Sequence, residues 1–198
     1  MPNWCTNHLV LVGDEKEINQ LNDLMIELEN KKEPFMPNGF GTNWLGCLAN
    51  ALGENWEDVR CRGDWYDHYI DTDSDQKELH IMIQYAWCAC DEIIDMLERH
   101  FGSIRVYYYA EEPGCEVYET NDIEGIYFPE RFTVQCYIEG DGEYDTGYFD
   151  TLSEAFNYVS GIAGVQVEKM EDLKTLNDKL EELGEYNYCN IHEINVID

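Results

Sequence analysis

A change of period between Glu78 and Gly114 constrains this chain more than any other feature. Leu79, Ile81, Ile83 and Tyr85 alternate with His80, Met82 and Gln84, the period of a strand with one covered face. Cys90, Ile93, Ile94, Leu97 and Phe101 then recur at three and four residues, on one side of a helix. Asp91 and Glu92 suit the positive end of that helix, His100 its C-terminus, and Gly102 stops it. Ile104, Val106 and Tyr108 open another strand. A strand–helix–strand unit needs further strands to cover it, so the remainder of the chain must supply them.

The preceding residues do so. His8–Val12 reads as a strand ended by Gly13. Asp14 and Glu17 read as an acidic capping box for a helix whose stripe is Ile18, Leu21, Leu24, Met25 and Leu28. Pro34, Pro37 and Gly39 break the pattern, and Trp44, Leu45, Leu48 and Leu52 suggest a short helix before Gly53. A strand over Trp65–Asp71 turns through residues 72–75 into the strand at Leu79. The order β-α-(short helix)-β-β-α-β predicts an α+β protein with the split βαβ arrangement of ferredoxin-like folds, an antiparallel sheet with its helices on one face. No C-x₂-C-x₂-C spacing occurs, so no iron–sulfur cluster is implied.

A second module follows. Phe132, Val134, Cys136 and Ile138 alternate with polar residues, Gly140-Asp141-Gly142 turns the chain, and Tyr144–Phe149 returns. Thr151 and Glu154 form a capping box for a helix carrying Leu152, Ala155, Phe156 and Val159, which Gly161 stops. Met170, Leu173, Leu176, Leu180 and Leu183 mark another helix, and a final strand spans Tyr188–Ile197. The reading is a ferredoxin-like domain at 1–125 and a small β-β-α-α-β module at 126–198 packed against it, with the boundary between Thr120 and Arg131.

Charge narrows the function classes. Forty-two Asp and Glu against 12 Lys and Arg give a formal net charge of −30 over 198 residues. Phosphate backbones and anionic membranes require clustered Lys and Arg, so direct nucleic-acid and membrane binding are excluded. Hydrophobic residues at 44% are too many for a disordered chain, so the charge sits on a folded body. Between Tyr107 and Glu168, fourteen Asp and Glu accompany Arg131 alone. No secretory leader or membrane-spanning run is evident, and the eight cysteines read as reduced, mostly buried thiols of a cytoplasmic protein.

Other chemistry is weakly signalled. Cys88-Ala89-Cys90 has no second close pair to complete a zinc site, and nothing orients His80 or His100 toward a thiol nucleophile. Asp71, Asp73 and Asp75 imitate an EF-hand loop, but Gln76 and Met82 stand where glycine and a bidentate glutamate belong. Gly140-Asp141-Gly142 lacks the lysine of a phosphate loop. The tyrosine run 107–109, which resembles a base-stacking strand, sits among acids and reads as packing. No metal or cofactor is expected.

Four segments carry a family resemblance. Met1-Pro2-Asn3-Trp4-Cys5-Thr6-Asn7 resembles the MPNWCxN start of the YubB-like, ferredoxin-like proteins of phages, plasmids and other mobile elements. Gly39–Trp44, Tyr85–Cys90 and Tyr109–Gly114 resemble that family's W-G-T-K-W, T-A-W-S-P-P and Y-x-E-P-G segments, the first two with substitutions. The resemblance covers about residues 1–125 and implies a ferredoxin-like fold and a mobile-element origin, without an activity. Joined to the charge, it leads to a non-enzymatic inhibitor that binds a basic host protein, a defence nuclease of restriction or CRISPR type, as a DNA mimic. Its contacts are expected from Glu111, Glu112, Glu116, Glu119, Asp122, Glu124, Glu139, Asp141, Glu143 and Asp145, supported by Tyr118, Tyr127 and Tyr144. The alternatives are an enzyme acting on nucleotides or a partner near Trp4, Trp44 and Trp87, and a structural or assembly protein of the element.

Overall fold

A computed structural model of the chain describes residues 2–72, 76–138, 144–184 and 186–197. It is an α+β protein of two compact units, Met1–Ile123 with Ile197–Asp198, and Glu124–Val196.

The first unit follows the periodicities. Strand β1 (Trp4–Val12) lies between β3 (Glu78–Ala86) and β4 (Arg105–Glu112), with β2 (Gly63–Asp71) outside β3 and β5 (Val117–Thr120) outside β4. The pairings β2–β3, β3–β1, β1–β4 and β4–β5 are all antiparallel. The short strand β9 (Asn195–Val196) is the sixth in this sheet, and the Ile197 N–H donates to Thr120 O at 2.8 Å. Alternation sends Cys5, Leu9, Leu11, Leu79, Ile81, Ile83, Val106 and Tyr108 to one face. That face and the stripes of helices α1 (Glu15–Glu29), α2 (Leu45–Ala51) and α3 (Asp91–His100) form one hydrophobic core.

One buried polar residue ties two of these elements together. Asn7 is fully buried, and its Oδ1 accepts the Cys90 N–H at 2.9 Å where α3 begins, while its Nδ2 donates to Cys5 O. No side chain of α3's own first turn does this, so the cap comes from across the sheet. Asn7→Ala is expected to cost about 1–3 kcal/mol, read from the urea midpoint, because it strands a buried donor. A shift below that range would show that the donor finds another acceptor.

The second unit is a three-stranded antiparallel sheet, ordered β7 (Tyr144–Phe149), β6 (Phe132–Tyr137), β8 (Tyr188–Glu193). Helices α4 (Leu152–Ala163) and α5 (Met170–Leu183) bury Ala155, Phe156, Val159, Leu173, Leu176 and Leu180 with Val134, Cys136 and Cys189. Asn177 of α5 both donates to Cys189 O and accepts the Cys189 N–H, covering backbone groups of β8.

Four local expectations are corrected. Asp14 makes no side-chain cap; the Glu17 carboxylate instead accepts the Ser103 N–H and hydroxyl. Helix α4 runs past Gly161 and ends at Gly164, whose φ of 66° is left-handed and favours glycine. The final strand is divided, β8 joining the second unit's sheet and β9 the first's. Cys136 and Cys189, directly opposite one another on β6 and β8, form a disulfide, so the reading of eight reduced thiols fails. The two cysteines are 53 residues apart in sequence, and only strand pairing brings them together. The turns expected at residues 73–75 and at Gly140–Gly142 lie outside the described residues.

Candidate functional site

Strand alternation disperses the acidic segment. Along β4, Glu111 lies on the sheet face away from the helices, with the Tyr109 hydroxyl donating to its Oε2 at 2.7 Å. Glu112, one residue on, turns to the core side, is buried and accepts the Gly114 N–H. Glu119 is half-buried, and burial followed by the neighbouring Asp91 charge pushes its carboxyl upward. Asp122 is 0% exposed and Tyr118 3%, so neither these two nor Glu112 presents its side chain to a partner. Glu116 and Glu124 are exposed, while Tyr127 and Asp145 are half-buried. Glu139, Asp141 and Glu143 lie outside the described residues. The described contacts of the first unit therefore do not form one row, because successive side chains of a strand leave by opposite faces.

The second unit nevertheless has a concave surface beside one of the expected contacts. Tyr137 pairs with Tyr144 on β7 and with Tyr188 on β8, placing three tyrosines abreast. The rings of Tyr137 and Tyr144 lie 5.3 Å apart, and the Tyr188 hydroxyl donates to the Tyr144 hydroxyl at 2.9 Å. With Tyr186 and Asn187 they line a recess of about 490 Å³. Tyr144 is 68% exposed. Residues 124–196 carry sixteen Asp and Glu against four Lys and Arg, so the recess belongs to a strongly anionic unit. Electron-rich ring faces in a negative field attract a guanidinium or an ammonium. Tyr144 was legible as an interface residue in the sequence; Tyr137 and Tyr188 join it only through strand register, and Tyr186 through the turn before β8.

The segments that carry the resemblance meet at one end of the first unit. The Trp87 N–H donates to Asn3 O at 3.0 Å, Trp4 pairs with Ala86, and Thr6 pairs with Glu111. The Trp4 and Phe40 rings meet edge to face at 5.9 Å. Trp87 has a φ of 79°, a left-handed conformation that costs a bulky residue energy. Trp44 is buried, stacks on Phe35 and donates from Nε1 to Cys61 O, whereas Trp4 and Trp87 are partly exposed. The three tryptophans thus have different surroundings.

Cysteine chemistry finds no support there. Burial pushes the thiols of Cys5 and Cys61 up to about 12 and raises those of Cys47, Cys88 and Cys90. A hydrogen bond to Glu112 raises Cys115. All six free thiols are therefore held protonated, the opposite of an activated nucleophile. Cys88 is exposed and Cys90 buried, so this pair does not converge on an ion. Among the described residues, one grouping has metal-ligand donors close together: Asp71, Glu78 and His80.

No protein-family model, curated protein or solved structure matches this chain.

Proposed function

We propose that the chain is an acidic inhibitor from a mobile element that occupies the nucleic-acid groove of a basic host nuclease of restriction or CRISPR type as a DNA mimic. The observation that carries this reading is a folded scaffold whose 42 carboxylates outnumber its 12 Lys and Arg. One-to-one pairing would still leave thirty uncompensated, the difference of those counts. Such a field attracts a cation-lined cleft over a Debye length and orients the encounter. The tyrosine recess adds a place for one basic side chain of the partner, with Tyr144 its most exposed wall. Of the expected contacts, Glu116 and Glu124 are exposed and Glu111, Glu119 and Asp145 half-buried, and these are the described acids offered for such contacts.

The strand order β2-β3-β1-β4, all antiparallel, with α1 and α3 in one core, supports assignment of the first unit to the ferredoxin-like folds. A cytoplasmic setting is part of the proposal. Among the described residues, no helix is long and apolar enough to cross a membrane.

The test is binding to purified DNA-cleaving defence nucleases, a restriction enzyme and a CRISPR effector, across a salt series. Affinity for the susceptible enzyme is expected to fall at least tenfold between about 50 and 200 mM salt, and a DNA duplex should compete. Tyr144→Ala should weaken binding further. No binding at low salt, or binding indifferent to salt, sinks the proposal.

A second reading is an enzyme using the corner near Trp4 and Trp87. One observation favours it: burial raises both Asp91 and Glu119, and the neighbouring Asp91 charge raises Glu119 further, as a general acid requires. A nucleotide-substrate screen tests it. Turnover by the wild type that is lost in Glu119→Gln supports it; no turnover removes it.

A further inference from the structure

We propose that Asp71, Glu78 and His80 form a binding site for one divalent transition-metal ion of the Mn²⁺ and Zn²⁺ class. The site is built by register. Asp71 and Glu78 are opposite partners at the end of the β2–β3 ladder, and His80 lies two residues along β3 from Glu78, opposite Tyr69. Residues two apart share a face, so Glu78 and His80 point the same way, with Asp71 beside them. One donor atom from each lies within 4.8 Å of the other two. An ion with bonds of about 2.1 Å draws its ligands to separations near 3 Å, which side-chain rotation from this spacing supplies.

The imidazole is already aimed. Its Nδ1 lies 3.0 Å from His8 Nε2, and its ring stacks on Tyr69 with centroids 4.7 Å apart and planes 8° from parallel. Those two contacts fix the ring and leave Nε2 toward Glu78. Nε2 is buried without a hydrogen bond, its nearest Glu78 oxygen being 3.5 Å away, an ion-pair distance but too long for a hydrogen bond. A buried ring nitrogen beside a carboxylate, with its other nitrogen engaged by a neighbour, is the arrangement of a metal-ligating histidine. In that state His80 Nδ1–H donates to His8 Nε2, which makes His8 a positioning residue.

The donor set selects the ion. Two carboxylates and one imidazole suit Mn²⁺, Fe²⁺ or Zn²⁺, and no thiolate is present to favour a softer metal. Opposed carboxylates across a strand pair repel, and a cation between them reverses that. Side chains of Glu78 and His80 are each 13% exposed, which separates this site from the solvated acids elsewhere on the chain.

Mn²⁺ is the probe, because free cysteines bind it weakly. In about 0.15 M salt, which screens diffuse counter-ion attraction, substoichiometric Mn²⁺ should broaden the NMR signals of His80, Tyr69 and His8 first. One equivalent of Zn²⁺ should restore them. Glu78→Gln, which preserves shape, and His80→Ala should each weaken Mn²⁺ binding at least tenfold, and His8→Phe should weaken it less. Broadening spread across the acidic helices, or affinity unchanged in Glu78→Gln with the fold intact, overturns the proposal.

Discussion

Trp65→Ala is expected to remove about 3–5 kcal/mol of stability from the first unit. Trp65 is fully buried and belongs to the core shared by the sheet and helices α1 to α3. Its Nε1 donates to Glu29 Oε1 at 2.8 Å, and its carbonyl accepts Asn43 Nδ2 at 3.2 Å. Glu29 also meets His68 Nε2 at 3.2 Å, so the end of α1 grips β2 at two points. Truncation deletes the largest side chain that β2 contributes and strands the carboxylate on His68 alone. Trp65→Phe keeps most of the volume and loses the N–H, so its cost is about 1–2 kcal/mol. Urea unfolding followed by circular dichroism checks both, with the midpoint moving and the slope unchanged. An alanine variant within about 1 kcal/mol of the wild type would show that the core closes over the gap.

Gly63→Ala is expected to cost about 2–4 kcal/mol. A Cβ at this position would lie 1.9 Å from Gln84 O and 3.0 Å from Tyr85 Cα. The constraint is close approach of two backbones, not a left-handed conformation, and backbone yields only if β2 moves off β3. Amide exchange along β2 should quicken as stability falls. Gly102→Ala is the control: a Cβ there meets nothing within 4 Å, and its stability should change by less than about 0.5 kcal/mol. Equal behaviour of the two variants would refute the steric account.

Periodicity made the first unit largely readable. Ile18, Leu21, Met25 and Leu28 are the buried stripe of α1, and Ile93, Ile94 and Leu97 that of α3, because a helix repeats its face locally. The Thr151–Glu154 capping box forms as read, since its partners lie within one turn. Its acidic counterpart fails because Ser103, eighty-six residues from Glu17, offers two donors to the same carboxylate. Local sequence cannot show a competitor that distant.

The same limit governs the candidate sites. Tyr144 is visible in isolation, but its meeting with Tyr188 depends on β6 lying between their strands. Glu78 and His80 are neighbours in sequence, yet Asp71 joins them through the hairpin ladder. Conversely, counting acids from residue 111 to 145 treated strand and turn residues alike. The pleat then hid Glu112, and folding buried Asp122. A charge total survives folding unchanged; the map of that charge does not.

The hydrogen bond between Ile197 and Thr120 has a consequence for how such a chain can be rearranged. Departure near Ile123 and return at Ile197 are anchored to the same sheet margin. Residues 124–194 are thus a detour rather than an appendage, and splicing across them would leave the host sheet's strand order, β9 included, intact. Cassettes of this kind can be exchanged during recombination while the frame that holds them persists.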